Sequence, residues 1–146
     1  MKRFVWRLQR VLDVKTKQEQ IKRNELFQLT EQLAAKRSEL LLRQRTLRDL
    51  MTEIKGQEAP TRWNAQEFFL RHAEADDGDI RRLQEEIAAL HVRHQEKTAE
   101  VLAVRRFKEG LERLREQAKE EYLRAQEKAE QKESDERSTM AFVRNA

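Results

Sequence analysis

The chain has 146 residues, of which 40% are charged, 6% are aromatic, three are glycine and one is proline. This composition is typical of long helices and coiled coils, and it leaves too few turn residues and too thin an apolar core for a globular enzyme of this length. The 31 basic and 27 acidic residues nearly balance, which also disfavours disorder of the whole chain.

The first predicted element is a helix over residues 2–56. Its seam positions follow alternating steps of three and four, which give the 3.5-residue period of a coiled coil, and ten of the 15 are apolar. Gly56 and Pro60 predict where this helix ends. The seam positions are Val5, Leu8, Leu12, Lys15, Glu19, Lys22, Leu26, Leu29, Leu33, Lys36, Leu40, Arg43, Leu47, Leu50 and Ile54.

Residues 57–79 are predicted to form the bend. Their apolar group, Trp63 to Leu70, needs burial, so we expect it to pack beneath the bend. Phe68, Phe69 and His72 are predicted to share one face of a short helix over residues 64–75. Asp79 is predicted to cap the helix that follows.

The second long helix is predicted over residues 79–136, followed by a polar tail at 137–146 that we expect to fray. Its heptad stripe begins at Ile80 and Leu83 and is predicted to change phase near Phe107. The predicted fold is therefore all-α: a long two-helix antiparallel coiled-coil hairpin with a short helical or loop segment at the bend. We expect one elongated module.

Catalytic and cofactor chemistry is not indicated by the residues present. The chain has no cysteine, and its isolated glycines form no phosphate-binding loop. His91 and His94 could share a helical face, but no metal-binding motif accompanies them. We predict a protein that is not an enzyme and that needs no cofactor or metal. We also predict neither a membrane span nor a secretory signal, and therefore a cytoplasmic location.

Charge is distributed unevenly along the chain. Residues 1–55 carry a net charge of +7, whereas residues 56–79 carry −4. Aromatic residues beside arginines near the N-terminus are typical of a protein-binding hot spot. Two alternatives stay open: a generic coiled-coil scaffold or stalk, and a basic coiled coil that binds nucleic acid. Asp13 and Glu19 interrupt the basic stretch and disfavour nucleic-acid binding.

Both ends of the chain resemble one known family. The segment Phe4–Asp13, with aromatic residues leading into Leu-Gln-x-Val-Leu, resembles the opening of the FliJ family of flagellar type III export proteins. Residues 130–136 are similar to that family's closing pattern, Glu-Gln-Lys-Glu-x-Asp-Glu. The rest of the chain resembles the family more loosely, and residues 57–79 carry no family motif that can be mapped.

The resemblance implies a function in flagellar protein export. It implies a hairpin similar to the central shaft of rotary ATPases, whose terminus-bearing end enters the pore of the hexameric export ATPase and promotes its assembly or turnover. Other surfaces are implied to bind the cytoplasmic domain of the export-gate membrane protein and the export chaperones. The implied location is cytoplasmic, peripherally associated with the inner face of the cell membrane at the flagellar base. Nucleic acid is not an implied partner.

The predicted ATPase-facing tip combines two groups of residues that we expect to face each other across the hairpin. The first carries aromatic and arginine anchors, and the second is a charged group near the C-terminus. They are Phe4, Trp6, Arg7, Gln9 and Arg10, and Gln131, Lys132, Asp135 and Glu136. Phe68 and Phe69 are a possible gate-binding surface, although burial beneath the bend competes with that role.

Overall fold

The computed structural model describes residues 3–146, and within them the chain forms two α-helices and no strand. α1 spans Gln9–Lys55 and α2 spans Ala59–Asn145. The two helices pack against each other, so the predicted helical hairpin is confirmed. The chain divides into two compact units. The terminal unit contains the first 20 residues and Leu102–Ala146, and the bend unit is Ile21–Val101.

The predicted seam on α1 is confirmed over most of its length. From Leu8 to Ile54, every predicted seam position except Arg43 is buried or half-buried. Val5 lies outside the helix and is 82% exposed, so its placement in the seam was wrong. The buried apolar side chains are Leu12 and Leu111 in the terminal unit, and Leu33, Ile54, Leu83 and Val101 in the bend unit.

The predicted change of phase on α2 was wrong. Phe107 and Leu114 are exposed, and the heptad continues without a break through Lys108, Leu111 and Arg115, which are buried or half-buried. Long basic side chains can occupy a seam because their aliphatic stems cover apolar surface while their charged ends reach a partner. The seam therefore follows the helix period and not the largest apolar residues.

The bend is much shorter than predicted. It consists of Gly56–Glu58, and α2 already begins at Ala59, so most of the bend predicted over residues 57–79, including its separate short helix at 64–75, is part of one continuous helix. Pro60 falls in the first turn of α2, where a missing backbone N–H is tolerated. Gly78 lies inside the helix, at a cost of about 1 kcal/mol relative to alanine. Asp79 is not a cap; its Oδ2 accepts a hydrogen bond from Arg43 Nη1 at 3.1 Å.

The apolar group near the bend is mostly exposed. Trp63 is 71% exposed, Phe68 and Leu70 are also exposed, and only Phe69 is half-buried. The prediction that this group packs beneath the bend was therefore wrong for three of its members. A continuous helix distributes neighbouring side chains around its circumference, and α1 can cover only one side of it.

Both ends of the chain differ from the predicted helix limits. Residues 3–6 are not helical, and α1 begins only at Gln9, whose backbone N–H donates to Trp6 O at 3.2 Å. No capping residue type precedes Gln9, which is consistent with a start set by other contacts. Residue 2, the predicted first helical residue, lies outside the described residues.

At the other end, α2 does not stop at residue 136 but continues to Asn145. The predicted polar tail is therefore helical. All residues from 127 to 146 are exposed, and we call them the C-terminal extension. That the two units behave as a single elongated module stays a prediction.

Candidate protein-binding surfaces

The non-helical N-terminal segment is held against α2 by an aromatic and polar latch. The Phe4 ring packs on the Tyr122 ring with 5.4 Å between centroids, and the Arg115 guanidinium lies 5.9 Å from the Phe4 centroid. Arg115 Nε also donates a hydrogen bond to Gln9 Oε1 at 2.9 Å. Such stacking and cation–π contacts stabilise partly exposed aromatic rings. Phe4 and Gln9 therefore position the segment.

These contacts leave four side chains, three of them basic, facing solvent. Exposure alternates along residues 3–6: Arg3 and Val5 are exposed, whereas Phe4 and Trp6 are half-buried. Arg7 and Arg10 are exposed as well. We call the exposed set Arg3, Val5, Arg7 and Arg10 the basic tip. The sequence did not identify Arg3 and Val5 as site residues, because the alternation of exposed and half-buried side chains can be predicted only once the segment is known not to be helical.

The predicted C-terminal site group lies elsewhere on the terminal unit. Gln131, Lys132, Asp135 and Glu136 are exposed, but all four belong to the C-terminal extension. The partner of Phe4 is Tyr122, so the group begins nine residues further along α2, about 13 Å away along the helix axis. The expectation that the two groups face each other across the hairpin was therefore wrong.

A second apolar feature near the C-terminus was also missed. Met140, Phe142 and Val143 are 69%, 76% and 69% exposed. The run Met-Ala-Phe-Val was visible in the sequence, but it lies in a segment interpreted as a polar tail. Because it lies on an exposed stretch of α2, it forms an exposed apolar surface.

The polar part of the terminal seam is filled by an ion cluster around one buried carboxylate. Glu19 is only 5% exposed; its Oε2 accepts a hydrogen bond from Lys108 Nζ at 3.0 Å, and its Oε1 accepts one from Arg105 Nε at 3.3 Å. The bond from Lys108 is the main cause that lowers the pKa of Glu19 below its ordinary value, against the opposing effect of burial. Lys15 Nζ lies 4.8 Å from the centre of the Phe107 ring. The cluster satisfies the seam's polar positions and offers no open site for a substrate.

In the bend unit, Phe68 presents an exposed aromatic surface. Its ring lies 4.2 Å from the His72 ring, and His72 Nδ1 is 2.9 Å from the Phe68 carbonyl oxygen. Phe69 is half-buried and lines a shallow groove with Met51 and Ile54. Phe68 and His72 share a face as predicted, but Phe69, which was predicted to share it, is half-buried on the side that lines the groove. Of the two candidate gate-binding residues, only Phe68 is exposed.

Exposed ion pairs join the two helices of the bend unit. Lys97 Nζ lies 2.7 Å from Glu25 Oε2 and 3.0 Å from Glu100 Oε2, which also contacts Lys22 Nζ at 3.0 Å. The hydrogen bond to Glu25 is the main cause that raises the pKa of Lys97, and the bond from Lys97 is the main cause that lowers the pKa of Glu100. Exposed pairs of this kind add little stability individually, because water and salt screen them.

Metal-binding chemistry finds no support among the described residues, which contain no cluster of three or more His, Cys, Asp or Glu suited to a metal ion. His94 Nε2 instead lies 3.0 Å from Thr30 Oγ1.

Over the same residues 3–146, neither helix has a stretch long and apolar enough to cross a membrane. What these surfaces offer is exposed basic, acidic and apolar side chains, which suit the binding of other proteins.

Comparison with known proteins gives one match. The sequence profile of the family described as Flagellar FliJ protein matches residues 3–146. No curated protein and no solved structure matches the chain. Because the profile covers essentially the whole sequence, the chain belongs to the FliJ family and is a component of the flagellar protein export apparatus.

Proposed function

We propose that the protein binds the hexameric export ATPase through its terminal unit and promotes the assembly or turnover of that ring. The observation that carries this proposal is the basic tip, which is exposed yet held by the Phe4–Tyr122 and Arg115–Gln9 contacts. A segment fixed before binding loses less conformational entropy on association. Its arginines suit an acidic surface, because complementary charge accelerates and orients docking.

Charge reversal at the tip tests this proposal. We expect the double variant Arg7→Glu/Arg10→Glu to lose the stimulation of ATP hydrolysis that the wild-type chain gives to the purified ATPase, because attraction becomes repulsion. The matched control is Arg45→Glu/Arg48→Glu, two exposed arginines of the bend unit, which should stimulate as the wild type does. Full stimulation by the tip variant would reject the assignment of this surface.

We further propose that the bend unit binds the cytoplasmic domain of the export-gate membrane protein through Phe68. Exposed aromatic side chains are frequent anchors in protein interfaces. In a pull-down with that domain, Phe68→Ala should reduce binding, whereas Phe27→Ala, another exposed phenylalanine of the bend unit, should not. Equal binding by both variants would remove Phe68 from the surface.

The proposal extends to the export chaperones as partners and to a cytoplasmic position at the membrane face of the flagellar base. No particular surface is assigned to the chaperones. The alternative of a passive scaffold predicts a stable dimer in light scattering at micromolar concentration and no effect on ATP hydrolysis.

A further inference from the structure

The bend unit carries an apolar groove between α1 and α2. Leu47, Leu50 and Ile80 line it and are half-buried, and Leu42 at its edge is 66% exposed. The groove has a volume of about 260 Å³, which leaves room for an aliphatic side chain of another molecule. Asp76 of α2 also lines it. The groove therefore suits an apolar side chain that is accompanied by positive charge.

The carboxylates at this groove are not neutralised. Glu74 and Asp77 lie in the same turn of α2 as Asp76. Within the part of the chain that the structure describes, none of these three forms an ion pair. Arg43 also lines the groove, but its Nη1 already lies 3.1 Å from Asp79 Oδ2. The groove therefore presents uncompensated negative charge beside an apolar lining.

The basic tip has the complementary composition. Val5 is 82% exposed and lies in the sequence between Arg3 and Arg7, which are exposed as well. Arg3, Arg7 and Arg10 form no ion pair with any described residue. An apolar side chain between unpaired arginines matches an apolar groove beside unpaired carboxylates. Such complementary charge favours docking and fixes its orientation.

We propose that the basic tip of one molecule docks into this groove of a second copy of the chain. Val5 then fills the apolar lining, and the arginines pair with the carboxylates of Glu74, Asp76 and Asp77. These two sets of charges do not pair with each other in the folded chain, so the contact joins separate molecules.

A contact of this kind is head-to-tail. Each docked molecule keeps a free tip or a free groove, so association produces open assemblies that grow with concentration and not closed dimers. A single groove buries far less than the roughly 1,200 Å² of a stable interface, and the association is therefore weak and reversible.

Self-association would occupy the basic tip. A docked tip is not available to any other acidic partner until that partner displaces it. If the tip also binds the export ATPase, self-association and ring binding exclude each other. Only this consequence rests on the proposed function, because the contact between copies involves no other protein.

Sedimentation velocity over a concentration series tests the contact. Between about 10 and about 500 µM, the range suited to weak association, the wild-type chain should pass from monomers to a distribution of larger species at low salt. At about 0.5 M salt this change should be largely lost, because exposed charges are then screened.

Two variants that remove charge without reversing it identify the surfaces. The tip variant is Arg3→Gln/Arg7→Gln, and the groove variant is Asp76→Asn/Asp77→Asn. Each alone should weaken self-association about tenfold or more, because each loses one side of the charge complementarity. An equal mixture should form dimers that do not grow further, because only the intact tip of the groove variant and the intact groove of the tip variant still match.

The matched control is Asp49→Asn/Glu53→Gln, which removes two exposed carboxylates of α1 in the bend unit and should associate as the wild type does. Circular dichroism should show the same helix content in all variants, because the substituted side chains form no ion pair in the folded chain.

Each other outcome overturns the inference. A wild-type chain that stays monomeric at every concentration would leave the groove to a different protein or to none. Normal association of the tip variant would indicate a contact between two grooves, and normal association of the groove variant a contact between two tips. A mixture that stays monomeric would exclude head-to-tail docking. Since no ATPase is present in these measurements, their failure would not touch the proposed function.

Discussion

The terminal unit and the bend unit use charge in opposite ways. In the terminal unit, the carboxylate of Glu19 is buried in the seam between two basic side chains, Arg105 and Lys108. In the bend unit, Leu33 and Leu83 are buried, and the charged seam positions Lys22 and Lys97 are only half-buried, since they pair with the exposed carboxylates Glu25 and Glu100.

This difference bears on which contacts specify the pairing of the helices. Apolar layers stabilise a hairpin but tolerate a slip of one heptad, since another apolar residue then takes the same place. A buried carboxylate does not tolerate it, because a slipped register would leave the charge without a partner at a large cost. We therefore expect Glu19 to fix the register of the two helices in the terminal unit. The ion pairs of the bend unit should contribute little to the register there.

Removing the buried charge should have the largest effect. Glu19→Gln keeps the shape of the side chain but removes its negative charge and replaces one acceptor oxygen with an NH2 group that faces a cation, and it should lower the free energy of unfolding by about 2 kcal/mol. Urea denaturation followed by circular dichroism at 222 nm measures this. The matched control is Glu25→Gln, the same chemical change at an exposed carboxylate of the bend unit.

The control variant Glu25→Gln should change the urea midpoint of unfolding much less than Glu19→Gln does. If Glu25→Gln destabilised the protein as strongly as Glu19→Gln, burial would not distinguish the two pairs and the comparison between the units would fail. A stabilised Glu19→Gln variant would show that desolvation of the carboxylate outweighs its hydrogen bonds.

Lowering the pH should gradually remove the stabilisation that the Glu19 carboxylate provides. The folded state lowers the pKa of Glu19 below the ordinary 4.5, so the folded chain binds this proton less readily than the unfolded chain. Its stabilisation is complete above the ordinary pKa and is lost as the pH falls through the lower, folded pKa. Between pH 7 and about pH 2, the gap in unfolding free energy between the wild type and Glu19→Gln should narrow.

This gap is the informative quantity, because other carboxylates also become protonated and affect both proteins alike. Glu100, whose pKa is lowered as well, is one of them. A gap that stayed constant down to the lowest pH would mean that Glu19 contributes through shape and not through charge.

The hairpin and the α1 seam could be predicted because they depend only on the heptad spacing of residues along the sequence. The heptad positions from Leu8 to Ile54 are buried or half-buried, with Arg43 as the exception. The α2 seam near residue 107 could not be predicted in the same way. Choosing Phe107 and Leu114 over Lys108 and Arg115 ranked residues by hydrophobicity, but the partners Glu19 and Gln9 make the basic residues better occupants.

The candidate sites depended on knowledge that spacing does not supply. The basic tip required knowing that residues 3–6 are not helical, and the exposed apolar residues Met140, Phe142 and Val143 required knowing that the helix continues to Asn145. Helix ends are set by tertiary contacts as much as by local propensity. Composition suggested that the tail was polar, whereas its last turn carries the apolar residues that distinguish it.

The smallest effect is expected at a half-buried ion pair of the bend unit. Lys36 Nζ lies 3.0 Å from Glu86 Oε2, and the Glu86 carboxylate is the main cause that raises the pKa of Lys36. Lys36→Gln should lower the urea midpoint slightly at low salt and not at all at 1 M salt, where charges are screened over about 3 Å. The effect of Glu19→Gln should persist at 1 M salt, because a buried cluster is screened much less. A loss of stability in Lys36→Gln that did not depend on salt would mean that Lys36 stabilises the protein through its aliphatic stem, which covers the seam. Glu19 would then be one of several charged seam residues that stabilise by packing.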